Sequence, residues 1–206
     1  MQPKMQWELV YATRPANAVS WFQAHADYSL RFIDATGVAH DASIIDVGGG
    51  ASTLVDDLLE GGYTNLSVLD ISALALAAAR ERLGARAQAI RWIEADITST
   101  ELPRHNIDVW HDRAVFHFLT QPEDRMTYVS EVLHAVKAGG HLIIATFAED
   151  GPVQCSGLPV VRYSPEELHA EFGEAFSLLR CERESHVTPS GVVQHFVYCH
   201  FRKAAA

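Results

Sequence analysis

Three consecutive glycines, Gly48-Gly49-Gly50, stand directly between an apolar run, Ser43–Val47, and an amphipathic one, Thr53–Glu60. A strand that breaks on glycine and restarts as a helix belongs to an open parallel sheet. There the glycines let the backbone approach a ligand, and the following helix offers it free N–H groups. Ser52 or Thr53 is available as N-cap of that helix and Gly61-Gly62 as its stop. The same rhythm continues downstream. Leu66–Leu69 reads as a second strand, followed by an alanine-rich helix over Ala73–Leu83, capped by Ser72 and ended by Gly84. Ile90–Glu94 and Ile107–Trp110 read as strands three and four. Pro122–Val136 carries a helical apolar stripe of Tyr128, Val129, Val132, Leu133 and Val136, and His141–Phe147 is a fifth strand. This alternation predicts an α/β fold: a Rossmann-like, doubly wound and mostly parallel sheet with right-handed crossovers.

The end of the chain departs from that pattern. Ser164-Pro165-Glu166-Glu167 opens a short helix with proline at its first position. Phe176–His186 and Val192–Phe201 are then separated only by Val187-Thr188-Pro189-Ser190-Gly191, too short for a parallel crossover, so strands six and seven form an antiparallel hairpin. In the first of them, Arg180, Glu182 and Glu184 alternate with Leu179, Cys181 and Arg183, the mark of an edge strand with one wet face. The first forty residues carry no strand but hold Trp7, Tyr11, Trp21, Phe22 and Tyr28. Exposed, these would be costly, which predicts a helical lid over the carboxyl ends of the strands. The expected layout is one domain over residues 1–206, with a cap at 1–40 and the core at 41–206.

Composition removes several classes. The formal net charge of −10, with no local basic patch, argues against nucleic acid as a partner. No apolar run reaches the roughly 18–20 residues that span a bilayer, and the first residues hold no apolar core of a secretory signal. Three cysteines, Cys155, Cys181 and Cys199, lack metal-ligand spacing and suit a reduced cytoplasm. A cytoplasmic monomer or weak dimer, without metal and without membrane contact, is the expectation.

The loop fits either a dinucleotide or S-adenosylmethionine. The dinucleotide pattern needs glycine where Thr53 stands, and Asp46, two residues before Gly48, would repel a pyrophosphate but attract an ammonium and a sulfonium. Nor is any tyrosine followed four residues later by lysine, as a short-chain dehydrogenase would require. Asp70 ends the second strand twenty residues after Gly50, placed to accept hydrogen bonds from ribose hydroxyls. Asp96 ends the third, where with Ile97 it can bracket an adenine amino group. Three acids at three successive strand ends after a glycine loop make a site.

With IIDVGGGAS, LSVLDIS, EADI, VWHDRAVFHFL and VKAGGHLIIATF, the chain resembles the class I, seven-β-strand, S-adenosylmethionine-dependent methyltransferases over roughly Ser43–Phe201. It is similar to the small thiopurine and tellurite-resistance type and to the protein-lysine methyltransferases. The resemblance implies that Asp46, Gly48, Gly49 and Gly50 bind the methionyl end, Asp70 and Ile71 the ribose, and Asp96 and Ile97 the adenine, with His111 beside them. S-adenosylhomocysteine would be the product. Ser52 replaces the motif's third glycine. The implied acceptor is a small molecule (thiol, selenol, hydroxyl or heterocycle). The alternatives are a protein lysine and a non-catalytic binding role.

Methyl transfer from a sulfonium is a one-step displacement, so the protein mostly positions and desolvates, and a base is needed only for a protonated nucleophile. The candidates are Asp112, Arg113 and His117, emerging after the fourth strand. Asp112 is equally readable as a helix cap, and His117, among Phe116, Phe118 and Leu119, as a core histidine. Trp21, Phe22, His25 and Tyr28 are candidates for a lid over the methyl group or for a helix packed on the sheet. Arg162 and Tyr163, in the loop CSGLPVVRYS after the fifth strand, are candidate acceptor contacts. Cys155 in that loop is either a reactive thiolate or a plain loop cysteine.

Overall fold

The computed structural model describes residues 4–205. Its sheet has seven strands. β1 (Ile44–Val47), β2 (Leu66–Asp70), β3 (Ile90–Glu94), β4 (Ile107–Arg113) and β5 (Val136–Phe147) run parallel; β6 (Phe176–Val187) and β7 (Val193–Lys203) are an antiparallel hairpin. The order is β3-β2-β1-β4-β5-β7-β6, so β7 slots between β5 and β6 and the order reverses between β1 and β4. That reversal opens the crevice in which an open α/β sheet binds its ligand.

Helices cover both faces. On one, α2 (Asp27–Asp34), α3 (Leu54–Glu60) and α4 (Ala73–Leu83) bury Phe32, Ile33, Leu54, Leu58 and Leu76 against Ile44, Val68 and Val109. On the other, α5 (Pro122–Ala135) and α6 (Pro165–Phe172) bury Tyr128, Val132, Leu168 and Phe172 against Ile45, Val47 and Trp110. Ser72 caps α4 by accepting from the Ala75 N–H, and Ser164 forms a reciprocal capping box with Glu167 at α6. Remaining outside the sheet, α1 (Lys4–Thr13) lies against α4, tied to it by Glu8, whose carboxylate accepts from the Ala73 N–H at 2.7 Å, and is tied to the end of β3 by a Lys4–Glu94 ion pair.

Two strand boundaries differ from the sequence reading by three residues or more, and one matters for function. β4 runs on to Arg113 because Asp112 and Arg113 still pair with Ile144 and Ala145 of β5. His111, Asp112 and Arg113 therefore alternate between the two faces of a strand rather than emerging together from its end. β5 begins at Val136, directly after α5; the residues around Gly139, which has φ +72°, are absorbed as an irregularity in its register. β6 is an edge strand, as β3 is at the other end, and the wet face of β6 is the one bearing Leu179, Cys181 and Arg183. Its Glu184 is buried, and Glu182 pairs with Arg31 of α2.

Candidate active site

The glycine loop is fixed by its neighbours. Gly48 and Gly50 have φ of +69° and +34°, and a Cβ on Gly48 would fall 1.9 Å from Val115 Cγ2. On Gly49 it would meet Asp46 Oδ2 at 2.4 Å, and on Gly50 Asp70 Oδ2 at 2.5 Å. The acids are thus pressed onto the loop in space that only glycine leaves free.

Asp46 is buried at the end of β1. One carboxylate oxygen accepts from His111 Nδ1 at 2.7 Å; the other, Oδ2, has no hydrogen-bond partner among the described residues. A buried carboxylate oxygen without a donor is costly, and this one marks a seat for a ligand that brings N–H groups. Asp70 accepts from the Ser72 N–H at 2.8 Å, and burial pushes its carboxyl up to about 7. Asp96 accepts from the Thr98 N–H and hydroxyl at 2.9 and 2.7 Å. Ser52, where the motif lacks its third glycine, accepts from the Leu54 N–H and so serves the turn locally.

Two adjoining cavities lie over the carboxyl ends of the strands. One of about 120 Å³ is bordered by Asp70, Ile71, Asp96 and Ile97, and by Trp7, Tyr11, Trp21, Phe118 and Cys155. The other, about 50 Å³, is bordered by Asp46, Gly49, Ser52 and His111, and by Ser29, Phe22 and Gln23. Tyr11, Trp21, Gly48 and Arg113 line both. Trp7 stands edge-on to Trp21 and Phe118, with ring centroids 5.7 and 5.1 Å apart, so α1 and the segment after it form an aromatic wall over the crevice.

The alternation of β4 separates its candidates. His111 and Arg113 face the cavities. Arg113 Nη2 pairs with Glu184 at 3.2 Å, Nη1 donates to the Trp21 carbonyl at 3.3 Å, and the guanidinium lies 4.3 Å from the centroid of Phe196. Asp112 points the other way and borders neither cavity. It is fully buried and takes hydrogen bonds from the Val115 and Phe116 N–H groups and from the Tyr128 hydroxyl at 2.5 Å. It caps the short 3₁₀ turn Phe116–Phe118, while burial pushes its carboxyl up to about 6. His117 sits in that turn with no exposed surface. Its Nδ1 accepts from the Phe147 N–H, and burial lowers its pKa to about 3, so it is a neutral core histidine that borders neither cavity.

The remaining candidates divide similarly. Trp21 and Phe22 border the cavities; His25 and Tyr28 do not. His25 holds Asp57 of α3 at 2.8 Å on the surface, which raises its pKa, and Tyr28 packs on Tyr198 with Arg31 over its ring. Arg162 donates to the Gly151 carbonyl, and Tyr163 is buried beside Phe116, so neither reaches the cavities. Cys155 does. It opens a small hairpin, Gln154–Cys155 with Leu158–Pro159, turned by Ser156 and Gly157 at φ +51° and +76°. Burial raises its thiol to about 11, which removes the reactive-thiolate reading. Trp7, Tyr11, Phe118 and Ser29 also border the cavities. The aromatic density of the first forty residues signals the first two, but nothing in the sequence marks Ser29.

Among the described residues no cluster of His, Cys, Asp and Glu is arranged to hold a metal ion, and no helix is long and apolar enough to cross a membrane. Residues 44–140 match the methyltransferase domain family. The chain is 23% identical over 154 residues to the eEF1A lysine and N-terminal methyltransferase of Bos taurus; that match covers 69% of this chain but 21% of the relative, about a fifth of its length. A structure solved for the conversion of a disulfide bond into a thioacetal group during echinomycin biosynthesis superimposes with a TM-score of 0.77 at 17% identity, over 98% of this chain and 93% of that one. The Burkholderia thailandensis 1,6-didemethyltoxoflavin-N1-methyltransferase, solved with S-adenosylhomocysteine, gives 0.68 at 18% identity, over 87% and 77%.

Proposed function

We infer that this chain, a class I methyltransferase whose cofactor is S-adenosylmethionine, delivers the methyl group to a small-molecule acceptor. The cofactor reading is supported by the residues themselves: the unpartnered Asp46 Oδ2 and the glycine loop fit the methionyl ammonium. Asp70 with Ile71 fits the ribose, and Asp96 with Ile97 the adenine. When bound, S-adenosylmethionine supplies an activated methyl on a sulfonium. The chain's residues have then to hold the partners in line, exclude water and leave the nucleophile's lone pair free.

The observation that carries the acceptor class is the wall made by Trp7, Trp21 and Phe118 with Cys155. It offers apolar contact in the cavity that also borders Asp70 and Asp96. Once Asp46, Asp70 and Asp96 serve the cofactor, no carboxylate or histidine bordering that larger cavity remains as a base. Such a chamber suits a nucleophile whose lone pair is free near neutral pH without help, a selenolate or a ring nitrogen, and next a thiol that ionises near about 8.5, over a lysine ammonium with its pKa near 10.4. The toxoflavin-type neighbour acts on a ring nitrogen by its name, which agrees with this; the elongation-factor relative favours the lysine reading.

The test is transfer of labelled methyl from S-adenosylmethionine to panels of thiols, phenols and nitrogen heterocycles, run beside a cytosolic protein extract. Turnover on a small molecule supports the reading. Label confined to protein lysine overturns the acceptor class, and label nowhere, despite cofactor binding, points to a non-catalytic binding protein.

A further inference from the structure

Asp46 is the end of a longer arrangement. Its Oδ1 accepts from His111 Nδ1 at 2.7 Å, and His111 Nε2 lies 2.9 Å from Ser29 Oγ. Ser29 Oγ lies 3.2 Å from the Tyr198 hydroxyl. All four side chains are buried, and they come from β1, β4, α2 and β7. Proton direction follows from the carboxylate end, since an ionised carboxylate only accepts. With a neutral imidazole, Nδ1 carries the hydrogen and Nε2 accepts from Ser29, and Ser29, its one hydrogen used, accepts from Tyr198.

We propose that Ser29 and Tyr198 are positioning residues for the cofactor's amino-acid end. By satisfying His111 Nε2 they hold its hydrogen on Nδ1, which pins Asp46 through Oδ1 and leaves Oδ2 turned to the ligand. This rests on the reading of Asp46 as the seat of the methionyl ammonium. Without the Ser29 hydroxyl, Nε2 is a buried acceptor with no donor. The ring then gains by moving its hydrogen to Nε2 or turning away, and either change releases Asp46.

Two ligands separate this from a general weakening. S-adenosylhomocysteine carries the amino-acid end; 5′-deoxy-5′-methylthioadenosine has the same adenosine without it. Calorimetry on the full chain should show Ser29→Ala weakening S-adenosylhomocysteine about tenfold, with Tyr198→Phe weakening it several-fold. Methylthioadenosine affinity stays at the wild-type value in both, and Ser29→Thr restores S-adenosylhomocysteine. Equal weakening of both ligands, or no change in either, overturns the relay. Should the wild-type chain bind neither ligand, the cofactor reading has failed before the relay is reached, and the relay falls with it.

Discussion

β4 carries a buried carboxylate on one face and reaches another across the strand pair on the opposite face, and the two are treated differently. Asp112, on the α5 side, is saturated: two backbone N–H groups and the Tyr128 hydroxyl fill it, and Tyr128 is itself held by Trp110 Nε1 at 2.9 Å. Asp46, which His111 of β4 holds on the cavity side, has one oxygen tied and the other unpartnered. Both are buried acids at the carboxyl edge of the sheet, and burial alone does not tell them apart. Counting donors does. A filled acid holds the fold together; a half-filled one, facing a cavity, waits for something to complete it.

The sharpest way to break this contrast is to remove each acid in turn. Asp112→Ala leaves two backbone donors and a tyrosine hydroxyl unpaired in the core, and should destabilise the chain by about 3–5 kcal/mol in urea unfolding. Asp46→Ala removes an acid that is already under-satisfied. It strands one donor, His111 Nδ1, against three for Asp112, so it should lower the unfolding free energy by only about 1 kcal/mol, yet weaken S-adenosylhomocysteine about 30-fold. The contrast is lost if Asp46→Ala unfolds the protein or if Asp112→Ala folds normally and merely loses turnover.

A smaller effect sharpens it through Asp70. Its carboxyl is pushed up to about 7 by burial, and hydroxyl donors prefer the carboxylate form. S-adenosylhomocysteine affinity should therefore rise several-fold as pH climbs from 6 to 8, and Asp70→Asn should flatten that rise as well as weaken binding. Parallel pH profiles for the two proteins would exclude Asp70 from the ribose contact.

Smallest is the effect of His117 on the structural side. Its pKa falls to about 3 in the folded chain, against about 6.5 for a free histidine. Between those values the unfolded chain binds a proton that the folded one refuses, so this group's contribution to stability is lost as pH falls below 6.5. His117→Phe should show a shallower fall in Tm from pH 6.5 to 4 than wild type. Identical slopes would mean that His117 takes up its proton while folded.

Most of the sheet was legible because its signals are local. Glycine at a positive φ, apolar runs of strand length and a five-residue hairpin link each act within a few residues, and so do the acids at strand ends. The end of β4 was not, because where a strand stops depends on its neighbour. Ile144 and Ala145 of β5 extend the ladder through Arg113, and that extension decides which of His111, Asp112 and Arg113 face the cavity. The polar chain was out of reach altogether: Ser29 and Tyr198 are 169 positions apart, and neither sits in a motif. Tyr163 and Arg162 show the opposite error. Their place after β5 suggested acceptor contact, but Tyr163 forms a bridge with Ala148 that draws it into the core.

The crowding of the glycine loop has a consequence for how such a chain can vary. A methyl group on Gly49 occupies the place of the Asp46 carboxylate, and one on Gly50 that of the Asp70 carboxylate. A substitution in the loop therefore acts as a second lesion in an acid twenty or fewer positions away, and replacing the acid by a smaller residue relieves the tightest of the clashes it makes. Loop and acids are bound by epistasis: a variant library of this protein should accept changes at these positions in pairs, with the double variant folding better than the loop variant alone while still lacking the ligand.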